Sequence, residues 1–241
     1  MIRIGTSGWH YDHWKGPFYP EKLPAARMLE LYAERFDTVE INSSFYRLPT
    51  EAAVELWKKT APRDFLFAVK ASRFITHMKK LKDAEGSFEK FFDRVILLGR
   101  KLGPVLFQLP PKWHSDPERL DAFLGALPRR LRYAFEFREP TWFNEDVNAV
   151  LRKYRAAFCM YDFDQRLSPR TVTADFIYVR LHGPEGRYAG SYSDSTLADW
   201  ARTFQEWNRS GKDVYCYFDN DQAGYATLDA VRLRKLVCEA N

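Results

Sequence analysis

The chain has 241 residues, 46% hydrophobic and 29% charged, the balance of a globular protein with one large domain or two small ones. A net charge of +5 favours anionic ligands only weakly and equally suits a solvated basic surface. No apolar run approaches the roughly 20 residues of a membrane span. The opening Met-Ile-Arg-Ile-Gly starts a strand and not a signal segment. Cys159, Cys216 and Cys238 are odd in number and lack metal-ligand spacing, so a reduced, cytoplasmic chain with no membrane partner is expected.

In chain order, strand-like runs fall at Ile2–Gly5, Thr38–Asn42, Phe65–Lys70, Val105–Leu109, Tyr133–Arg138, Ala157–Asp162, Phe176–His182 and Asp213–Asn220. Helical patterns separate them. Ala25–Phe36 carries Met28, Leu29, Leu31, Tyr32 and Phe36 near helical spacing. Thr50 can cap a helix through Lys59, and a phenylalanine-rich pattern spans Ser87–Leu102. Asp116-Pro117-Glu118 gives a capped, proline-first, acidic helix start running to Leu127. Asn144–Tyr154, Thr196–Arg209 and Ala223–Glu239 complete the set, while Phe163–Asp175 shows only a weak or missing helix. Such alternation predicts an α/β fold, a single-domain (β/α)8 TIM-type barrel over residues 1–241. The rival is a doubly wound open sheet, whose glycine-rich phosphate loop Gly5-Thr-Ser-Gly8 matches only poorly.

Alternate side chains of a strand face opposite sides. Val39 and Ile41 oppose Glu40 and Asn42; Tyr133, Phe135 and Phe137 oppose Glu136 and Arg138; Ile177, Val179 and Leu181 oppose Arg180 and His182. Lys70, Gln108, Asp162 and Asp219 also end strands. In a barrel these polar groups converge inside the C-terminal mouth, where active sites of the fold lie. Burying so many without use is costly, which favours a site over a purely structural salt-bridge layer. Asp162 is read in phase with Phe158 and Met160, which puts Cys159, like Cys216, on the helix-facing side. The mouth loops add aromatics, including Trp9, Tyr11, Tyr46, Phe163 and Tyr188, and cations, including Lys79, Arg166 and Arg187. Cations among aromatics suit a ligand with a phosphate and a flat ring or sugar face.

The same residues carry a resemblance. Gly5-Thr-Ser-Gly-Trp9-x-Tyr-x-x-Trp14, Thr38-Val-Glu-Ile-Asn-Ser-Ser-Phe-Tyr46, Phe107-Gln-Leu-Pro-Pro111, Phe135-Glu-Phe-Arg138, Tyr178-Val-Arg-Leu-His-Gly183 and Tyr217-Phe-Asp-Asn-Asp221 resemble the YecE-like family, domain of unknown function seventy-two. The resemblance runs nearly end to end and implies a TIM-type barrel. It brings no settled reaction.

Three functions are compatible with these residues. The favoured one is an enzyme acting on an anionic substrate: a phosphorylated sugar, a nucleotide or nucleic acid. Glu40, Glu136 and His182 would be its catalytic groups. Trp9, Tyr11, Asn42, Lys70, Gln108, Arg138, Arg180 and Asp219 would bind substrate. The second is a divalent-metal enzyme, with Glu136, Asp162, His182 and Asp219 holding Mn, Mg or Zn much as barrel sugar isomerases and endonuclease IV-type nucleases hold theirs. The third is a non-catalytic binder of nucleic acid or a metabolite, with strong salt dependence and no turnover. Neither the cofactor nor the oligomeric state is legible.

Overall fold

Period-two strands joined by helices give one architecture in the computed structural model, which describes residues 1–82 and 84–239. The elements are β1 (Ile2–Thr6), α1 (Met28–Arg35), β2 (Thr38–Ile41), α2 (Glu51–Thr60), β3 (Leu66–Lys70), α3 (Ala84–Val95), β4 (Leu102–Gln108), α4 (Pro117–Ala126), β5 (Tyr133–Glu136) and α5 (Glu145–Lys153). There follow β6 (Ala157–Phe163), β7 (Arg166–Leu167), β8 (Phe176–Leu181), α6 (Asp194–Arg209), β9 (Asp213–Phe218) and α7 (Tyr225–Glu239). Parallel pairing runs β1-β9-β8-β6-β5-β4-β3-β2, and β7 returns antiparallel on β6. This is a nearly closed eight-stranded parallel barrel wrapped by helices, as the alternation predicts.

Local chemistry sets the helix starts. Thr50, Asp116, Asn144 and Ser193 each accept a hydrogen bond from a backbone N–H in the first turn that follows, at residues 53, 119, 147 and 196 respectively. Where no helix pattern exists, after β6, the chain turns back through Asp164 and Gln165, both at positive φ (56° and 60°). Two left-handed central residues give the twist that matches a two-residue hairpin. The sixth strand–helix unit is therefore a strand and a hairpin.

Ile4, Val39, Ile41, Phe67, Val69, Phe107, Phe135, Val179 and Phe218 pack outward beneath the helices. Ala68, Leu106, Ala134, Cys159, Tyr178, Tyr215 and Tyr217 fill the axis. Cys159 thus corrects the sequence reading. Phe158 and Met160 join the outer core, so the phase of β6 is the reverse of the one expected and Cys159 faces the axis. Cys216 faces the helices.

β1 and β2 do not share a full ladder. Their C-terminal ends meet where Gly8 N–H donates to Glu40 O (2.8 Å). Below that the Tyr32 hydroxyl of α1 bridges them, accepting from Thr6 N–H (2.9 Å) and donating to Thr38 O (3.1 Å). The strands close there because residue 5 is glycine: a Cβ on it would lie 2.3 Å from Thr38 O. Gly5→Ala is expected to cost about 3 kcal/mol through overpacking against backbone, read as a lowered urea midpoint. A loss below about 1 kcal/mol would mean that the seam yields to a methyl group.

Candidate active site at the barrel mouth

Above the Tyr178 and Tyr217 rings, the axis is filled by one guanidinium. Arg180 of β8 is fully buried, since its inward phase points it across the barrel. Its Nη2 lies 2.7 Å from Glu40 Oε1, Nη1 is 2.9 Å from Glu136 Oε2, and Nη2 is 3.0 Å from Asp219 Oδ2. Nε also donates to Glu40 Oε1 (3.2 Å), and Ser7 Oγ donates to the same oxygen (2.6 Å). The other Glu40 oxygen accepts from Tyr178 Oη (2.7 Å). Strands β1, β2, β5, β8 and β9 are tied together through this one side chain.

A second guanidinium sits nearer the mouth. Arg138 Nε donates to Glu136 Oε1 (2.5 Å), and Nη2 faces His182 Nε2 (3.1 Å). Its plane lies over the Phe163 ring, 3.8 Å from the centroid. Arg180 Nη1 approaches the same His182 nitrogen (3.3 Å), so Nε2 is the acceptor and the ring proton belongs on Nδ1. Nδ1 lies 3.0 Å from Asp219 Oδ2 but out of line with its N–H.

Burial alone would raise Glu136, yet the Arg138 and Arg180 guanidiniums hold it well below the usual carboxylate range. Asp219 is lowered in the same way, by His182, Arg180 and Lys70 against the cost of burial. Burial opposes the charge of Arg180 too, and Glu40, Glu136 and Asp219 overcome it. Glu136 and Asp219 are thereby held ionised among the cations Arg180, Arg138 and Lys70.

The residues expected to bind or react separate into three groups. Glu40, Glu136, His182 and Arg180 converge but are fully buried. Every polar atom of Glu40 and Glu136 is engaged by protein. Arg138, Lys70 and Asp219 follow toward the C-terminal ends of their strands: Arg138 Nη1 is buried with no partner among the described residues, and Lys70 is 6% exposed with its Nζ 4.4 Å from the Phe45 centroid. Asp219 Oδ1 accepts no hydrogen bond among the described residues. The third group lines cavities. Gln108 and Arg138 share one of 310 Å³ with Phe163, Arg166, Arg187 and Tyr188. Trp9, Tyr11 and Asn42 share another, of 490 Å³, with Tyr46 and Trp57, and Asn42 Oδ1 has no partner among the described residues. Ser7 and Tyr178, both bonded to Glu40, are not among the residues that the sequence assigns to the site. Both lie on inward phases that the period-two rule identifies.

Asp162 is the correction in this set. It shares the outward phase of Phe158 and Met160, accepts from Tyr192 Oη (3.1 Å), and does not join Glu136, His182 and Asp219. Burial raises its carboxyl, where the clustered acids are lowered. The four-strand metal set is therefore not assembled. Among the described residues no three His, Cys, Asp or Glu side chains converge as metal ligands. The donors that do approach one another already receive N–H groups from two arginines, so this geometry does not fit a divalent cation.

No helix among the described residues is long and apolar enough to cross a membrane. The backbone is similar to that of a DUF72 family protein from Thermotoga maritima MSB8, with a TM-score of 0.87 and 28% identity over 98% of this chain and 99% of that one. It also follows a D-psicose 3-epimerase from Clostridium cellulolyticum H10 (TM-score 0.57, 10% identity, 99% of this chain and 96% of that one), a likeness of barrel fold alone. In sequence it is 28% identical to the UPF0759 protein YunF of Bacillus subtilis strain 168, over 98% of this chain and 95% of that protein. It is 32% identical to the UPF0759 protein YecE of Escherichia coli K12, over 59% of this chain and 50% of that protein. The family described as "Protein of unknown function DUF72" matches residues 3–241, and the chain belongs to it.

Proposed function

We propose that this protein is an enzyme acting on a small anionic metabolite, bound in the C-terminal mouth with its anionic group on Arg138. The observation that carries this is Arg138 Nη1: a buried guanidinium donor without a partner, on a side chain that lines a 310 Å³ cavity with Arg166 and Arg187. Buried donors in folded proteins are nearly always satisfied, and an orphan on a residue that lines a cavity calls for a ligand acceptor. Arg180 was expected to share this role; its donors are taken by Glu40, Glu136 and Asp219, so it organises the platform instead. Glu40, Glu136 and His182 take positioning roles for the same reason. Asp219, whose Oδ1 accepts no hydrogen bond among the described residues, is the carboxylate left to exchange a proton with substrate. The cavity volumes suit a small molecule and not a polymer.

Isothermal titration with sugar phosphates and carboxylates, each paired with its neutral counterpart, tests the reading. Charged members are expected to bind and neutral ones not. Arg138→Gln should weaken binding about 10- to 100-fold, the 1.5–3 kcal/mol of a hydrogen bond to a charged group. Equal affinity for charged and neutral members, or binding indifferent to Arg138→Gln in a folded variant, would overturn it.

A further inference from the structure

We propose that Lys70 is the nucleophile of this site, forming an imine with a carbonyl carbon of the substrate; the proposal rests on the mouth being the anion site. Lys70 ends β3 in the inward phase of Leu66 and Ala68, which aims it into the mouth. It is almost completely buried, yet Nζ makes no hydrogen bond or ion pair among the described residues. A lysine present only as countercharge would pair with one of the three acids. Glu40, Glu136 and Asp219 are held by Arg180 and Arg138 instead, which leaves the amine free to react.

What fixes the amine is apolar. Phe45 lies beneath it, and its loop is anchored by Ser44 Oγ, which donates to the Lys70 carbonyl (2.6 Å). The other edge of Phe45 is closed by His77, ring to ring at 5.0 Å. Burial first, and then Arg180, push the Lys70 amine down to about 8, against the opposing pull of Glu136, Glu40 and Asp219. Burial, Lys70 and Arg73 push His77 down to about 4, so it is neutral and adds no charge of its own. About a tenth of Lys70 is then free amine at neutral pH, against less than about a thousandth of an ordinary lysine. A desolvated lysine beside a second cation is the arrangement that activates an amine toward carbonyls.

The step is closed in atoms and electrons. The Nζ lone pair bonds to the carbonyl carbon, and the C=O π pair passes to oxygen. One nitrogen proton moves to that oxygen. The oxygen then leaves as water with the second nitrogen proton as the C=N bond forms. Nothing is oxidised or reduced. The substrate class is a carbonyl compound with an anionic group, such as an open-chain sugar phosphate or a keto acid, with Arg138 holding the anion.

The test traps the imine in the full chain. The protein is mixed with glycolaldehyde phosphate or with neutral glycolaldehyde, reduced with sodium borohydride, digested and mapped by mass spectrometry. At neutral pH the Lys70 peptide is expected to gain the probe less one oxygen at least tenfold faster than the peptides of exposed Lys58 and Lys153, an advantage that fades as the pH passes about 10. Lys70→Met should abolish that product and leave the others. Lys70 unlabelled while exposed lysines react would overturn the imine and leave the anion site standing if phosphate still binds through Arg138. Equal labelling of Lys70 by both probes would support the imine and overturn the anion site. Since the map is read on the unaltered chain, a variant that failed to fold would not obscure the answer.

Discussion

Replacing Arg180 with methionine is expected to cost about 3–5 kcal/mol of folding stability, the penalty of leaving buried charge uncompensated. Against a typical stability of about 5–15 kcal/mol, that brings the barrel near its limit. The side chain is apolar and similar in length, so the loss is electrostatic and not a cavity effect. Among the described residues Arg180 is the sole arginine that touches Glu40 and Asp219, and one of two that touch Glu136. Without it Glu40 keeps only the Ser7 and Tyr178 hydroxyls. Urea unfolding of the variant measures the loss, and adding Glu40→Gln assigns its cause. If stranded charge is responsible, the double variant recovers about 1 kcal/mol or more, because the two sites couple. A single-variant loss below about 1 kcal/mol would show that water reaches the network and screens it.

Much of this site is legible in the strands, and the rest fails for one physical reason. Period-two reading places Glu40, Glu136, Arg180, His182 and Asp219 on the inward faces of β2, β5, β8 and β9, and the structure joins them. The reading inverts β6, and a one-residue slip exchanges the two faces of a strand. Both corrections come from that slip: Asp162 faces outward and Cys159 stands 3.8 Å from Glu136. The signal was present, since Phe158 and Met160 are the large apolar pair of that strand and belong under helices, while Ala157 and Cys159 are small enough for the axis. The Asp164-Gln165 hairpin carries no glycine to announce its left-handed turn, which hides it from sequence reasoning. Which cation meets which acid is not written in any strand either. Glu40 and Arg180 are 140 positions apart and pair only because the barrel brings β2 and β8 across its axis. The consequence is large: Arg180, expected to hold an anion, is wholly engaged, and Arg138 is left with the free donor.

Glu136→Gln should lower stability by about 3 kcal/mol at neutral pH and lose that effect in acid. Glu136 accepts from Arg138 through one oxygen and from Arg180 through the other. An amide can accept through one side only; its NH₂ then faces a guanidinium, donor against donor, and both arginines lose their shared charge partner. The pH dependence separates this from packing. The folded carboxyl is held well below its unfolded value by Arg138 and Arg180, despite burial. Its contribution is therefore complete above the ordinary carboxylate range and is lost as pH falls through the depressed folded value. The wild type loses Glu136's share over that window and the glutamine variant has no such share to lose, so the gap between their urea midpoints should narrow with acidification. A gap constant with pH would assign the effect to shape. The same substitution links platform to ligand, since Glu136 fixes the guanidinium of a side chain that lines the cavity. A freed Arg138 is expected to bind phosphate more weakly, by roughly the tenfold that one lost orienting hydrogen bond represents, in a variant that still folds at neutral pH.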